Sequence, residues 1–162
     1  MPLHDVAVLA SVGRHPASGR PRRALDDARA LELALRLGGP RLGGVHVGSP
    51  PEPALRDYLG MGIAELTVLD AGSDADALDP LVGWLTERKP SLVLTGARTE
   101  SDDSTGLLPY CLAEALDTAL VAHAVDIAVH GDSVVVTQGL PRGRRRKRVA
   151  ALPAVVVVGA AA

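Results

Sequence analysis

The stretch SLVLTGARTESDDSTG, residues 91–106, passes from an unbroken apolar run into a polar loop that carries a glycine near each end. The apolar run predicts a buried strand at residues 91–95, and a helical pattern follows at about residues 105–116. A short buried strand followed by a helix is the repeating unit of a parallel sheet covered by helices. This stretch therefore predicts an α/β fold.

Three units of the same kind precede it. Their strands are predicted at residues 6–12, 42–48 and 65–69, and their helices at 24–37, 51–60 and 74–89. Gly38, Gly39 and Pro40 follow the first helical pattern, as residues that end a helix should. The alternation of strand and helix predicts that these strands are parallel.

Downstream of residue 116 the pattern changes to strands alone. Strand-like segments lie at residues 121–129, 133–139, 147–152 and 154–158, with turns at 130–132 and 141–143. We interpret them as a hairpin and a final strand that rejoins the sheet. No linker or repeat divides the chain, so we predict a single domain over residues 1–162: a Rossmann-like, three-layer α/β/α fold with a mostly parallel sheet and a C-terminal β-hairpin.

Composition restricts the class of protein. With no Phe and one Trp, the core must be built from Val, Leu and Ala. The net charge of −2 gives no overall attraction to nucleic acid. The apolar segments are too short to span a membrane, and no basic region precedes the first of them as in a signal peptide. We expect a cytoplasmic protein with no nucleic-acid partner and no membrane insertion.

Ligands of open α/β sheets bind beyond the carboxyl ends of the strands, which here lead into the loops at residues 11–19, 48–53 and 96–106. In the last loop, Gly96 and Gly106 allow close approach of a ligand to the backbone. Ser104 and Thr105 are expected at a helix N-terminus, where amides and hydroxyls suit a phosphate, and Arg98 adds a positive charge. The alternative interpretation is that Asp103 or Ser104 only caps the helix.

Motifs of catalysis are missing. The sequence has no G-x-G-x-x-G after its first strand, no phosphate-binding G-x-x-x-x-G-K-[ST] and no G-x-S-x-G. Its five His lack metal-ligand spacing, so no metal is predicted. Cys111 is interpreted as a small buried hydrophobic residue rather than a nucleophile. We predict that the chain is not an enzyme.

A basic run occupies residues 144–148. One interpretation is a solvated turn and edge strand that charge protects from pairing with other edges. Nucleic-acid binding is the alternative, but the run has no interleaved aromatic residues. Between a nucleic acid and an acidic protein as the partner of this run, we favour the protein.

Several segments together resemble the beta subunit of electron transfer flavoproteins, over nearly the whole chain. Residues 12–16, VGRHP, resemble its V-K-R-x-P opening, and residues 30–37, ALELALRL, resemble A-x-E-x-A-x-R-L of its first helix. Residues 59–64, LGMGIA, resemble A-L-A-M-G-A-D, and residues 152–156, LPAVV, resemble its last core strand. The segments occur in the family's order and at its separations.

The resemblance implies a nucleotide site. The family's loop reads G-x-Q-x-x-D-x-D and then Q-T-G or similar; here it is about two residues shorter and lacks the glutamines. Backbone amides of the loop and of two neighbouring strand ends would hold AMP. The residues so implied, with Arg98 from the loop itself, are Ser11, Val47, Ser49, Gly96, Arg98, Asp102, Asp103, Ser104, Thr105 and Gly106. The family's N-P at the helix start is Ala24-Leu25 here.

The resemblance also implies a function. The chain would be a beta-type subunit that pairs with an alpha-type subunit holding most of the FAD, and the pair would carry electrons from a dehydrogenase to an acceptor. Family members continue past the final strand into a segment that recognises dehydrogenases, and that role is not carried over. Two alternatives remain: a free-standing adenine-nucleotide module similar to universal stress proteins, or a diverged scaffold subunit without nucleotide.

Overall fold

The computed structural model describes residues 2–39, 41–49, 52–72, 76–98, 105–160 and 162. The strands in these ranges are β1 (Val6–Leu9), β2 (Val12–Arg14), β3 (Pro21–Arg23), β4 (Leu42–Val47), β5 (Leu66–Leu69), β6 (Leu92–Gly96), β7 (Ala119–His130), β8 (Ser133–Gly139), β9 (Arg145–Ala151) and β10 (Ala154–Val158). The helices are α1 (Leu25–Leu37), α2 (Arg56–Gly60), α3 (Leu78–Arg88) and α4 (Leu108–Ala115), with short 3₁₀ turns at Pro53–Leu55 and Pro141–Gly143.

Eight of the strands form one sheet in the order β5-β4-β1-β6-β10-β7-β8-β9. The pairs from β5 to β7 are parallel, whereas β7, β8 and β9 pair antiparallel. β2 and β3 form a separate antiparallel hairpin. The predicted α/β fold with a mostly parallel sheet and antiparallel strands at its C-terminal end is confirmed.

The core lies on both faces of the central strands. Val8, Leu94 and Val156 pack on the face covered by α1, and Leu9, Val93 and Val155 pack on the face of α3 and α4; all are buried. Successive residues of a strand point to opposite faces, so both must be apolar where helices cover both sides. This explains why these strands are continuous apolar runs.

The first predicted strand, at residues 6–12, is too long. β1 ends at Leu9, and Val12 instead begins the hairpin with β3. The reason lies between them: the backbone amide of Ser11 donates to the side chain of Asp27 at 2.8 Å rather than to a neighbouring strand. The chain turns away from the sheet at that point.

Three predicted helices begin later than expected. The helix predicted at residues 74–89 begins at Leu78; residues 74 and 75 lie outside the described ranges. The segment predicted as a helix at residues 51–60 starts as a 3₁₀ turn at Pro53 and becomes α-helical only at Arg56; residue 51 lies outside the described ranges. α4 begins at Leu108, so the prediction of Thr105 at a helix N-terminus is wrong. The Thr105 hydroxyl accepts a hydrogen bond from the amide of Leu107 at 3.4 Å and closes a local turn instead.

Cys111 is exposed on α4, so its interpretation as a buried residue is also wrong. The helix turns Leu112 and Ala113 toward the sheet, and Cys111 lies beside that buried face. None of the described helices is both long enough and apolar enough to cross a membrane.

A buried ion pair ties α3 to the amino end of the sheet. Arg88, at the end of α3, donates to both carboxylate oxygens of Asp5 at 2.7 and 2.8 Å, and the two side chains are 7% and 4% exposed. Hydrogen bonding to Asp5 is the main cause that raises the pKa of Arg88 above its ordinary value. Glu65 accepts a further bond at 3.2 Å, and the guanidinium lies 4.8 Å from the ring centroid of Trp84. The absence of a side chain at Gly43 leaves room for this guanidinium, since an added Cβ would lie 2.9 Å from it.

Candidate functional site

The order of the strands changes direction at β1. The chain continues from β1 to β4 and β5 on one side and then to β6 and β10 on the other. At such a switch point the connections leave in opposite directions and open a crevice beyond the carboxyl ends of the strands. A cavity of about 280 Å³ lies there, lined by Leu9, Ala10, Ser11, Val12, Asp27, Val45, His46, Val47, Ala77, Leu81, Thr95 and Leu108.

Asp27 joins the three elements around this crevice. Its carboxylate, in the first turn of α1, accepts hydrogen bonds from the amide and hydroxyl of Ser11 at 2.8 and 2.5 Å and from the amide of Gly96 at 2.9 Å. The side chain is 3% exposed. One carboxylate thus fixes the ends of β1 and β6 to the start of α1.

Burial raises the pKa of Asp27 from 3.8 to about 6. The negative charge of Asp26 acts in the same direction, whereas the hydrogen bonds from Ser11 and Gly96 partly oppose it. Desolvation has the larger effect, because a carboxylate loses more stabilisation when it leaves water than a few hydrogen bonds from neutral donors restore. Asp27 is therefore ionised at neutral pH and becomes protonated in mildly acidic solution.

Gly96 permits the close contact between β6 and α1. A Cβ added at this position would lie 2.6 Å from the Cβ of Asp26 and 2.6 Å from the Asp27 Oδ1. Since part of that obstacle is helix backbone, a side chain here would push α1 away from the sheet. The glycine that the sequence marked as a ligand contact is first of all a packing requirement.

Two further side chains hold the end of β1. Tyr58 of α2 is fully buried; its hydroxyl donates to the carbonyl of Ser11 at 2.7 Å and accepts from the amide of Ala24 at 2.9 Å. His46 of β4 places Nδ1 at 2.8 Å from the carbonyl oxygen of Ala10. Because a carbonyl only accepts, the His46 Nδ1 carries the hydrogen of this bond.

The predicted site residues divide into three groups. Ser11, Val47 and Gly96 are brought together around the crevice, the first two lining the cavity. Ser49, Arg98 and Thr105 are exposed beyond it, and Gly106 folds back so that an added Cβ would lie 3.0 Å from the carbonyl oxygen of Ala97. Asp102, Asp103 and Ser104 lie outside the described residues.

Sequence reasoning missed Asp27, His46 and Tyr58. The signal for Asp27 was present, because residues 27, 30, 31 and 34 share one helical face and all four are buried. An acid in register with Ala30, Leu31 and Ala34 is a buried acid, and a buried acid requires donors. His46 and Tyr58 carry no comparable signal in this sequence.

Residues 145–148 of the basic run lie in β9, an edge strand that pairs only with β8 among the described strands. Its side chains are exposed, as one of the two interpretations predicted. Arg146 is held in place because its Nε donates to Oε1 of Gln138 at 2.9 Å. Among the described residues, no group of three or more His, Cys, Asp or Glu side chains is arranged to hold a metal ion.

Comparison with known proteins gives one consistent result. The family model for the electron transfer flavoprotein domain matches residues 24–162. Electron transfer flavoprotein subunit beta of Chromohalobacter salexigens is 44% identical over 165 aligned residues, which cover 99% of this chain and 62% of that protein. Among solved structures, the C-terminal domain of the coenzyme A biosynthesis bifunctional protein CoaBC aligns over 93% of this chain and 90% of its own, at a TM-score of 0.39 and 11% identity, a likeness too low to carry an argument.

Proposed function

Because the chain belongs to the electron transfer flavoprotein family, on the side of its beta subunits, we propose that it is a beta-type subunit that pairs with an alpha-type subunit. The observation that carries this proposal is 44% identity along 99% of the chain. The chain spans 62% of the length of that relative, so the partner and the route of the electrons are part of the proposal. In this role the pair accepts electrons from a dehydrogenase and passes them to an acceptor, without bond-making chemistry by this chain.

The flavin belongs mostly to the partner in this proposal. The crevice has a volume of about 280 Å³, which is below the range of about 300–1,000 Å³ typical of pockets that hold a whole small molecule or cofactor. No Phe, Tyr or Trp is among the described residues that line it, so it offers no large ring for stacking on an isoalloxazine. This chain would complete the FAD site from outside rather than enclose the FAD.

The crevice itself is the proposed site for AMP. It lies at the switch point of the sheet, where α/β proteins bind nucleotides, and Ser11 and Val47 line it. The loop that includes Arg98, Thr105 and Gly106 begins at the adjoining end of β6. Ligand contacts of Asp102, Asp103 and Ser104 are proposed from the resemblance alone.

Co-expression with the alpha-type subunit of the same organism tests the pairing. We expect an equimolar complex on size-exclusion chromatography that carries one FAD, whereas this chain purified alone is colourless. Reduction of the complex by a dehydrogenase and its reoxidation by an acceptor would then establish electron transfer. A chain that fails to bind the alpha-type subunit, or that holds stoichiometric FAD by itself, contradicts the proposal.

A further inference from the structure

We propose that a groove at the amino ends of β6 and β10 binds a carboxylate that carries an aliphatic chain. The groove lies between the C-terminal ends of α3 and α4 and has a volume of about 430 Å³, which is within the range of about 300–1,000 Å³ typical of small-molecule sites. The crevice described above lies at the other end of the sheet. This inference therefore depends neither on a nucleotide nor on the pairing with an alpha-type subunit.

The walls of the groove are aliphatic. Leu85 of α3 and Leu116 at the end of α4 line it from the helices, and Val93 and Val155 line it from the strands. No Phe, Tyr or Trp is among the described residues of the lining, so an aromatic ligand would find no ring to stack on. An aliphatic chain would lose its contact with water against these side chains, which is favourable in proportion to the area buried.

The hydroxyl of Thr118 shows where a polar group of the ligand would lie. Its oxygen lines the groove, is buried and has no hydrogen-bond partner among the described residues. Three carbonyls near the end of α4, those of Leu112, Ala113 and Glu114, already accept backbone amides. A buried hydroxyl without a partner is costly, and a ligand atom that accepts its hydrogen would remove that cost.

Lys89 gives the groove a positive charge. It is exposed, and it is the only charged residue among the described residues that line the groove. It follows α3 in the left-handed conformation, with φ of 50°, at a position where Gly is the usual residue. The neighbouring guanidinium of Arg88 is already paired with Asp5. A cation and a donor hydroxyl without a partner together favour an anion, and a carboxylate can accept from both.

The test is an NMR titration of the isotope-labelled chain with octanoate and, separately, with octylammonium. The second probe has the same chain and the charge that the C-terminal ends of helices attract. We expect octanoate to shift the amide resonances of Val93, Thr118 and Val155 and to leave those of Ser11 and Gly96 in place. Octylammonium, which Lys89 repels, should bind about tenfold more weakly.

Thr118→Val removes the hydroxyl with little change of shape. The affinity for octanoate should fall about tenfold, the scale of one hydrogen bond to a charged group. The melting temperature should not fall, because the hydroxyl has no described partner to lose. Thr67→Val makes the same chemical change in β5, outside the described lining of the groove, and should leave the affinity unchanged.

Lys89→Gln removes the positive charge, and Lys147→Gln in β9 is its matched control, since these are the two lysines of the chain. Both side chains are exposed, so both variants should fold. Lys89→Gln should lower the affinity for octanoate about fivefold and bring the affinities for the two probes close together. Lys147→Gln should change neither affinity.

Octanoate that moves no groove resonance, or octylammonium that binds as tightly as octanoate, would overturn the proposal. Groove resonances that shift with protein concentration and not with octanoate would overturn it too, because a second copy of the chain would then cover the groove. Neither titration includes the alpha-type subunit or a nucleotide. Failure of the heterodimer and failure of this inference are thus observed separately.

Discussion

The Asp27 carboxylate accepts a 2.9 Å hydrogen bond from the backbone amide of Gly96, a residue 69 positions later in the chain. The same carboxylate accepts from Ser11, so a single side chain connects the first helix to the ends of two central strands. Its burial raises its pKa to about 6. The state of this one proton should therefore affect stability.

The free energy of unfolding should depend on the ionisation of Asp27. Its pKa is about 6 in the folded chain against 3.8 ordinarily, so between these values the folded state holds more of the proton than the unfolded state. Stability contributed by this group is then present at low pH and lost as the pH rises through about 6. The full loss is on the order of 2–3 kcal/mol.

Denaturation in urea at a series of pH values measures this effect. Asp27→Asn cannot titrate, so its free energy of unfolding should vary less than that of the wild type between about pH 4 and pH 6. Asp26→Asn, in the same turn of α1, should keep the wild-type dependence. Parallel curves for wild type and Asp27→Asn would show that Asp27 titrates at its ordinary pKa.

Gly96→Ala should destabilise the fold. Its Cβ would lie 2.6 Å from Asp26 Cβ and 2.7 Å from the Asp26 carbonyl carbon, and helix backbone cannot yield locally. We expect a loss of about 1–3 kcal/mol in urea denaturation. Gly83→Ala is the control: it is an exposed position of α3 with no atom within 4 Å of the added Cβ, and helix propensity predicts a gain of up to about 1 kcal/mol. Equal effects of the two substitutions would contradict the packing assigned to Gly96.

Tyr58→Phe should cost about 1–2 kcal/mol of stability, the range for a hydrogen-bonded buried group. The lost hydroxyl bridges the Ser11 carbonyl and the Ala24 amide. Tyr110→Phe makes the same chemical change where the side chain is 48% exposed, and its effect should stay within about 0.5 kcal/mol. Thermal unfolding measures the stability of both variants. A Tyr58→Phe protein as stable as the wild type would show that the bridging hydroxyl does not stabilise the fold.

Asp5→Asn should be among the most damaging single substitutions in the chain. It leaves the buried guanidinium of Arg88 without its main anionic partner, and breaking a buried pair on one side costs about 3–5 kcal/mol. Glu65→Gln changes the second partner, which is 51% exposed, and should cost less than about 1 kcal/mol. The free energies of unfolding of the two variants should therefore be well separated; similar values would mean that Asp5 is not the main partner.

The basic edge strand offers a test of partner docking. Arg145→Gln combined with Lys147→Gln removes two charges from β9 and leaves Arg146 in its bond with Gln138. If the alpha-type subunit presents acidic groups to this strand, association should slow at low salt and much less at high salt, since charges beyond about 8–10 Å are then screened.

Stopped-flow association at two salt concentrations is the measurement. Arg20→Gln combined with Arg56→Gln makes the same change of charge at exposed positions outside β9 and should leave the rate unchanged. Melting temperatures of both double variants should stay close to that of the wild type, because solvated charges contribute little to folding. Equal rates for all three proteins at low salt would leave β9 with only the protective role of a charged edge.

Much of the fold was predictable because it depends on local patterns. α1 was predicted as a helix over residues 24–37 and is observed at Leu25–Leu37, ending at Gly38 in the left-handed conformation with φ of 62°. Apolar periodicity and a terminating glycine both act within a few residues of chain. The same holds for the strands at residues 42–48 and 133–139.

The errors have two sources, interactions between residues distant in sequence and local turns that resemble helix caps. β1 stops early because Asp27 captures the amide of Ser11, and no local pattern around residues 6–12 reports that. The delayed start of α4 has a local cause, the turn in which the Leu107 amide bonds to the Thr105 hydroxyl, but its sequence does not distinguish that turn from a helix cap. The sequence predicted a site at the carboxyl ends of the strands, and a crevice lies there. The positions of His46 and Tyr58 beside it required the fold to be known.

Strand β10, at Ala154–Val158, lies between β6 and β7 although it is the last of the described strands along the chain. A ribosome releases it after the other described strands, so the centre of the sheet stays open while those strands are already available to pair. Until β10 arrives, the apolar edges of β6 and β7 are exposed, a state that favours chaperone binding and aggregation. For this topology, the core of the sheet closes only when β10 has paired with both of its neighbours.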